Sequence, residues 1–357
     1  MIYFIFALIA LVAWSGSDLF SKMGTEQDDK LSHWRVIFAV GAIMGAHAFI
    51  TIIVSAIWGD SLAEIDNLFI KGLLYTDFVP MDFIKYLPVA FLYLLAMVIG
   101  YAGLRYIELS ISSPICNGSG SLALIIIVAL GAFGLFEDPS TLNFVDIIAV
   151  VLITFGIVGL GYVEYNENEE IKLMRSQGGN FKYRKSLIAI IIPVIYLFID
   201  AIATVGDEFL YEANVLTPVM FESDYAANVA FELTSLCFAI FAFLYVKLYK
   251  KKKFFSLNIT KTDENGNVIN ETAPFSKYLI FGGACETVGQ IFYMAVMASD
   301  FIAGLPMISA YCVLSVVWSR IFLKEKLSKK HYITIIVTFI GIALLALSEI
   351  LVGYELL

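Results

Sequence analysis

The chain has 357 residues, 60% of them hydrophobic and only 15% charged, with a formal net charge of −9 and a mean hydropathy of +0.84. A soluble domain carries about a quarter charged residues and near half apolar ones. The composition therefore excludes an ordinary soluble enzyme or nucleic-acid-binding module and points to a multi-pass membrane protein.

The apolar runs read in order as helices. The first covers 2–21 and lacks a basic n-region, so a cleaved signal peptide is not expected. The second covers 36–58. An acidic connection, 59–83, follows, with an apolar patch at 68–74 that suits a helix lying on the membrane surface. Further spans are expected over 84–104, 110–135, 144–163, 187–210, 226–248, 277–298, 302–323 and 332–351. Each has about twenty residues, enough for a ~30 Å hydrocarbon core at ~1.5 Å per residue. The expected fold is all-α, with about ten transmembrane helices.

Two connections stand out. Residues 164–186 are charged and carry Gly178-Gly179, the mark of a flexible joint. Residues 249–276 start with Lys250 to Lys253 and contain Asn265-Gly266 between Ile259 and Val268-Ile269, a signal for a small β-hairpin. Asn258-Ile259-Thr260 and Asn270-Glu271-Thr272 match the short glycosylation pattern, which matters only in a lumenal loop. The odd-numbered connections hold 21 of the 23 Lys and Arg residues, and the even-numbered ones hold Lys71 and Lys85. By the positive-inside rule the odd connections are cytoplasmic and both termini face outside.

A helical unit occurs twice. Ser113-Pro114 opens an apolar run to Phe136, and Leu305-Pro306 opens one to Leu323. Tyr101 stands thirteen residues before Pro114, and Tyr293 thirteen before Pro306; Thr154-Phe155 and Thr338-Phe339 recur in the closing helices. Residues 1–163 and 187–357 thus read as two five-helix repeats joined by 164–186. Five spans per half require the second repeat to start from the opposite side of the membrane, so the repeats are inverted.

The pattern resembles the drug/metabolite transporter superfamily, in its ten-helix EamA-type branch. Trp14-Ser15-Gly16-Ser17-Asp18 to Lys22 looks like that family's opening helix. The hairpin from Leu305-Pro306 through Lys324-Glu325-Lys326-Leu327-Ser328 to Gly341 is similar to its most recognisable segment, and Ser113-Pro114 to Gly156 is a fainter copy. Two features depart from the family pattern. Glu137-Asp138-Pro139 stands where a basic turn is usual, and the charge count places the termini opposite to many relatives. The resemblance implies a secondary transporter in a bacterial cell membrane, with a central cavity between its halves. It names no substrate.

Ionisable groups at membrane depth are costly and are candidates for function. Asp18, Asp200 and Glu286 are such groups, and Asp200 can be registered with Asp18 across the repeats. Asp18 also stands four residues before Lys22, close enough to pair with it instead. Gln290 and Tyr293 share the face of Glu286, while Asn117, Ser309 and Tyr311 follow the two prolines, where a broken helix exposes polar groups. Trp14 and Tyr101 are candidate path residues, although aromatics in spans more often pack. Asp207 and Glu208 read as solvated charges at a helix end, Glu232 as a carboxylate reaching the interface, and His47 as a hydrogen-bonded core histidine.

No Lys or Arg lies mid-span. A buried carboxylate without a basic partner is either protonated or bound to a cation, and that alternative couples proton to cation movement. The expected function is secondary transport of small polar or cationic metabolites, export or exchange, coupled to protons or another cation. An intramembrane enzyme would need a nucleophile–base pair, and no such spacing is evident; a scaffold or channel is the third reading. The four cysteines and three histidines are scattered through the chain, so neither disulfide nor metal site is expected. The expected partners are a small-molecule substrate, protons and the lipid bilayer, with no cofactor and no nucleic acid.

Overall fold

The computed structural model describes residues 1–25, 31–104, 113, 116–136, 142–165, 187–213, 215, 218–221, 223–262, 268–299, 301–323 and 327–353. The expected joint between halves falls largely outside the described residues, as does the 263–267 turn. Eight helices among the described residues are long and apolar enough to cross a membrane.

The first half contributes α1 (Ile2–Gly24), α2 (Ser32–Ala63), α3 (Leu68–Leu74), α4 (Pro80–Leu104), α5 (Ser119–Ala132) and α6 (Phe144–Tyr165). The second contributes α7 (Leu187–Tyr211), α8 (Asp224–Leu244), α9 (Lys277–Met297), α10 (Gly304–Ser309), α11 (Tyr311–Phe322) and α12 (Lys329–Gly353). A five-residue π-helical turn, Tyr245–Tyr249, continues α8. Helices form here because apolar runs in lipid must satisfy every backbone N–H and C=O within the run.

The second helix is longer than its apolar run suggests. It runs to Ala63, with a non-helical residue at Trp58. The surface patch forms α3, whose start is capped by the Asn67 side chain accepting from the N–H groups of Phe69 and Ile70. Its Phe69 and Ile70 are 45% and 40% exposed, as a helix lying on a bilayer surface requires. The polar loop forms the hairpin, β1 (Ser256–Thr262) against β2 (Val268–Pro274), antiparallel with Thr262 opposite Val268.

The pairing of helices follows one rule. α1 packs on α9 and α4 on α7; α2 packs on both α8 and α9, and α8 also on α4. α6 packs on α12, α5 on α7 and α10, and α1 on α10 and α11. Exchanging α1 with α7, α2 with α8, α4 with α9, α5 with α10 and α11, and α6 with α12 maps these neighbours onto one another; the packing of α6 on α10 and α11 stands outside that exchange.

Backbones approach closely where the halves meet. A Cβ on Gly120 of α5 would lie 2.9 Å from the Leu305 carbonyl oxygen and would overlap the Ser309 hydroxyl of α10. Only glycine permits that crossing. Both segments that begin with a proline are interrupted at this depth, the first by turn residues at Asn117-Gly118 and the second at Ala310.

Candidate functional site

The interrupted segments border two adjoining cavities between the halves. One has about 590 Å³ of space unfilled by atoms, part of it continuous with solvent. The other has about 460 Å³. They share Met97, Asn117, Tyr196, Glu286 and Tyr311 as lining residues. Trp14, Asn117, Asp200, Glu286, Gln290, Tyr293, Ser309 and Tyr311 line the larger; Asp18 and Tyr101 line the smaller. All ten candidate residues therefore border one or other of two adjoining cavities.

Two of the three carboxylates are held by hydroxyls. Asp18 on α1 accepts from Ser113 at 2.6 Å and from Ser315 of α11 at 2.9 Å. The reading that paired Asp18 with Lys22 is corrected: the carboxylate faces these two serines. Asp200 on α7 accepts from Ser119 of α5 at 2.6 Å. Glu286 lies on α9 and borders both cavities, with no Lys or Arg among the described residues lining either. Asn117 donates back to the Ser113 carbonyl at 2.8 Å and fixes the interrupted turn.

The walls are aromatic. The Trp14 indole lies 5.2 Å from the Tyr293 ring and 5.7 Å from that of Tyr311, centroid to centroid. Tyr93, Tyr196 and Phe231 complete the enclosure. Trp14 reaches its place because α9 carries Gly289 there: a Cβ at that position would overlap the indole. Two buried donors on residues that line this space, Trp14 Nε1 and Gln290 Nε2, have no protein partner among the described residues. An aromatic enclosure with fixed acids attracts cations, and the free donors would accept a polar group of the same solute.

Three assignments made from sequence are overturned. Asp207 and Glu208 are buried, at 0% and 4% exposed, and are not solvated end charges. Asp207 accepts from Tyr86 at 2.5 Å, Tyr93 at 2.6 Å and Tyr293 at 3.2 Å. Glu232 does not reach the interface; its fully buried carboxylate meets His47 Nδ1 at 2.8 Å. The other ring nitrogen of His47 lies 3.0 Å from the Leu73 carbonyl, which ties α2 and α8 to α3.

Tyr93, Tyr196 and Thr204 were not singled out from the sequence, and all line the larger cavity. The available signal was a pair of seven-residue intervals, Tyr86 to Tyr93 and Asp200 to Asp207. Each interval puts two groups on one helix face.

No protein-family model matches the chain, and no curated protein matches it. Among solved structures 25 chains match. One, described only as "Crystal structure of protein", superposes with a TM-score of 0.53 at 14% identity, covering 97% of this chain and 96% of its own. The similarity extends over the whole chain and concerns the fold alone.

Proposed function

We propose that this protein is a secondary active transporter, an exporter or exchanger, of small polar or cationic metabolites. The solute occupies the cavity between two inverted five-helix repeats, and alternating access arises when the halves exchange conformations. Protons compete with the solute for the carboxylates, so proton movement and solute movement are coupled. The sequence resemblance to EamA-type drug/metabolite transporters agrees with this reading.

The observation that carries it is the cavity's chemistry. Asp18, Asp200 and Glu286 come from helices of both halves and border an aromatic-walled space lined, among the described residues, by no Lys or Arg. A protonatable carboxylate facing a cation-attracting enclosure gives two mutually exclusive occupants, a proton or a cation. The helix neighbours that map onto one another on exchange of the halves support the repeat. The partnerless donors on Trp14 and Gln290 favour a solute that brings a hydrogen-bond acceptor beside its positive charge.

A thermal-stabilisation screen of primary and quaternary amines, amino alcohols and amino acids on the purified protein identifies a ligand. Flux of that ligand into proteoliposomes, with and without a pH gradient, tests the function. Saturable flux that follows the gradient is the expected result. Flux absent under both conditions, for every stabilising ligand, contradicts the reading.

A further inference from the structure

Beyond the cavity, toward the end of α7 that leads into Tyr211, lies a second polar cluster that the transport reading does not use. Its centre is Asp207, 0% exposed. Three phenols from two other helices converge on it. Tyr86 and Tyr93 come from α4 of the first half, and Tyr293 comes from α9 of the second. Packed around them are Met294, whose sulfur is 3.5 Å from the Tyr86 hydroxyl, and the rings of Phe221 and Phe231, 5.8 and 6.5 Å from that of Tyr86. Tyr93 and Tyr293 also line the cavity, so the cluster forms one wall of it.

Proton counting sets the state of this wall. An ionised carboxylate only accepts, and here two oxygens receive three O–H donors. A protonated one becomes a donor itself and keeps fewer and weaker acceptor sites for them. Tyr93 has somewhere else to turn: its hydroxyl is 3.0 Å from Thr204 Oγ1 and 2.6 Å from the Tyr293 hydroxyl.

We propose that Asp207 is a proton-binding gate residue: ionised, it draws Tyr86, Tyr93 and Tyr293 together and closes this end of the cavity; protonated, it lets them part. The proton adds to Asp207 Oδ2, the Tyr93 O–H turns from that oxygen to Thr204 or Tyr293, and no other covalent bond changes. The carboxylate's link between α4 and α9 then rests on fewer hydrogen bonds, each to a neutral group. Hydrogen bonds to neutral groups are roughly half as strong as charge-assisted ones.

The titratable neighbours fit such a switch. α4 presents Tyr86 and Tyr93, and α9 presents Tyr293. α7 itself presents Asp200 and Tyr211, and α8 presents Asp224 beyond Tyr211. Asp82 and Lys85, at the start of α4, bond to each other at 3.3 Å, with the lysine over the Phe221 ring. No ion pair to Asp207 is present among the described residues.

The gate assignment takes its meaning from the transport reading, but its test does not need flux. In pH-difference infrared spectra of the purified protein, between about pH 5 and pH 8, the wild type should show a carboxylic-acid band that Asp207→Asn lacks. Hydrogen exchange of peptides over 80–96 and 287–297, corrected for chemical exchange, should be roughly tenfold faster at the lower pH, because one charge-assisted bond is at stake. Asp207→Asn should exchange at the fast rate at both pH values, and Asp207→Glu should keep the dependence. Tyr93→Phe, which leaves the carboxylate in place, should keep the infrared band and reduce the pH effect on exchange. Superimposable infrared spectra for wild type and Asp207→Asn, or exchange independent of pH in the wild type, would overturn the assignment even if solute flux is found. Expected exchange behaviour without any solute flux would leave the gate standing and remove the transport reading.

Discussion

Gly289→Ala is expected to disturb the cavity through a single methyl group. A Cβ at 289 would overlap Cδ1, Nε1 and Cγ of Trp14. The indole is large and rigid, and it is held by Tyr293 and Tyr311 at centroid distances of 5.2 and 5.7 Å. It cannot swing aside without losing those rings. Overpacking a close-packed interior costs about 1–3 kcal/mol, and each aromatic pair contributes about 0.5–1.5 kcal/mol. Both describe one displacement and overlap, so the expected loss is about 2–4 kcal/mol. Reversible unfolding in mixed micelles measures it.

Trp14→Ala removes all three overlapping atoms and should relieve the added methyl, giving a coupling of about 1 kcal/mol or more in a double-mutant cycle. Gly59→Ala serves as the control. Nothing lies within 4 Å of its added Cβ, so the change should stay within about 0.5 kcal/mol. If Gly289→Ala matches the control, or if Trp14→Ala brings no relief, the close approach of α1 and α9 is not what shapes the cavity.

Other consequences follow from the same geometry. Phosphorylated sugars should be poor solutes, because among the described residues no Lys or Arg lines either cavity; saturable uptake of one by the purified protein would contradict the cavity chemistry. Glu232→Ala should cost about 3–5 kcal/mol by stranding His47 beneath α3, and Glu232→Gln, which keeps an acceptor, should cost less; unfolding in mixed micelles reads both. Reporter fusions after Leu357 and within 249–276 should place the first outside and the second inside the cell, and an externally accessible 249–276 loop would overturn that orientation.

Much of this was legible because lipid allows so few alternatives. A run of apolar residues in a membrane has to be a helix, so α1, α4, α9 and α12 begin and end within a few residues of their apolar runs. Asp200 and Glu286 stood out because an acid at that depth has little purpose other than to face a cavity. Asp207 was misread for the converse reason. It lies near the end of an apolar run, where water is usually close, and nothing local to it says that Tyr86, Tyr93 and Tyr293 from two other helices will shut water out. Tyr93 and Tyr196 were missed because a tyrosine in a span most often packs; only the pairing of helices shows which ones face the cavity. His47 and Glu232 lie 185 residues apart, and no spacing within either helix predicts their contact.

The measurement that bears most directly on the transport reading is flux through isosteric variants of the two mid-span acids. Asp200→Asn and Glu286→Gln keep the shape of the side chains and can still donate a hydrogen bond, but they cannot ionise. With a solute identified by thermal stabilisation, flux driven by a pH gradient and exchange at equal pH are compared in proteoliposomes. At least one variant should lose gradient-driven flux while remaining folded, with exchange damaged less. Two variants that carry solute with the wild-type pH dependence would mean that these carboxylates only hold the helices together, and that protons do not drive this protein through them.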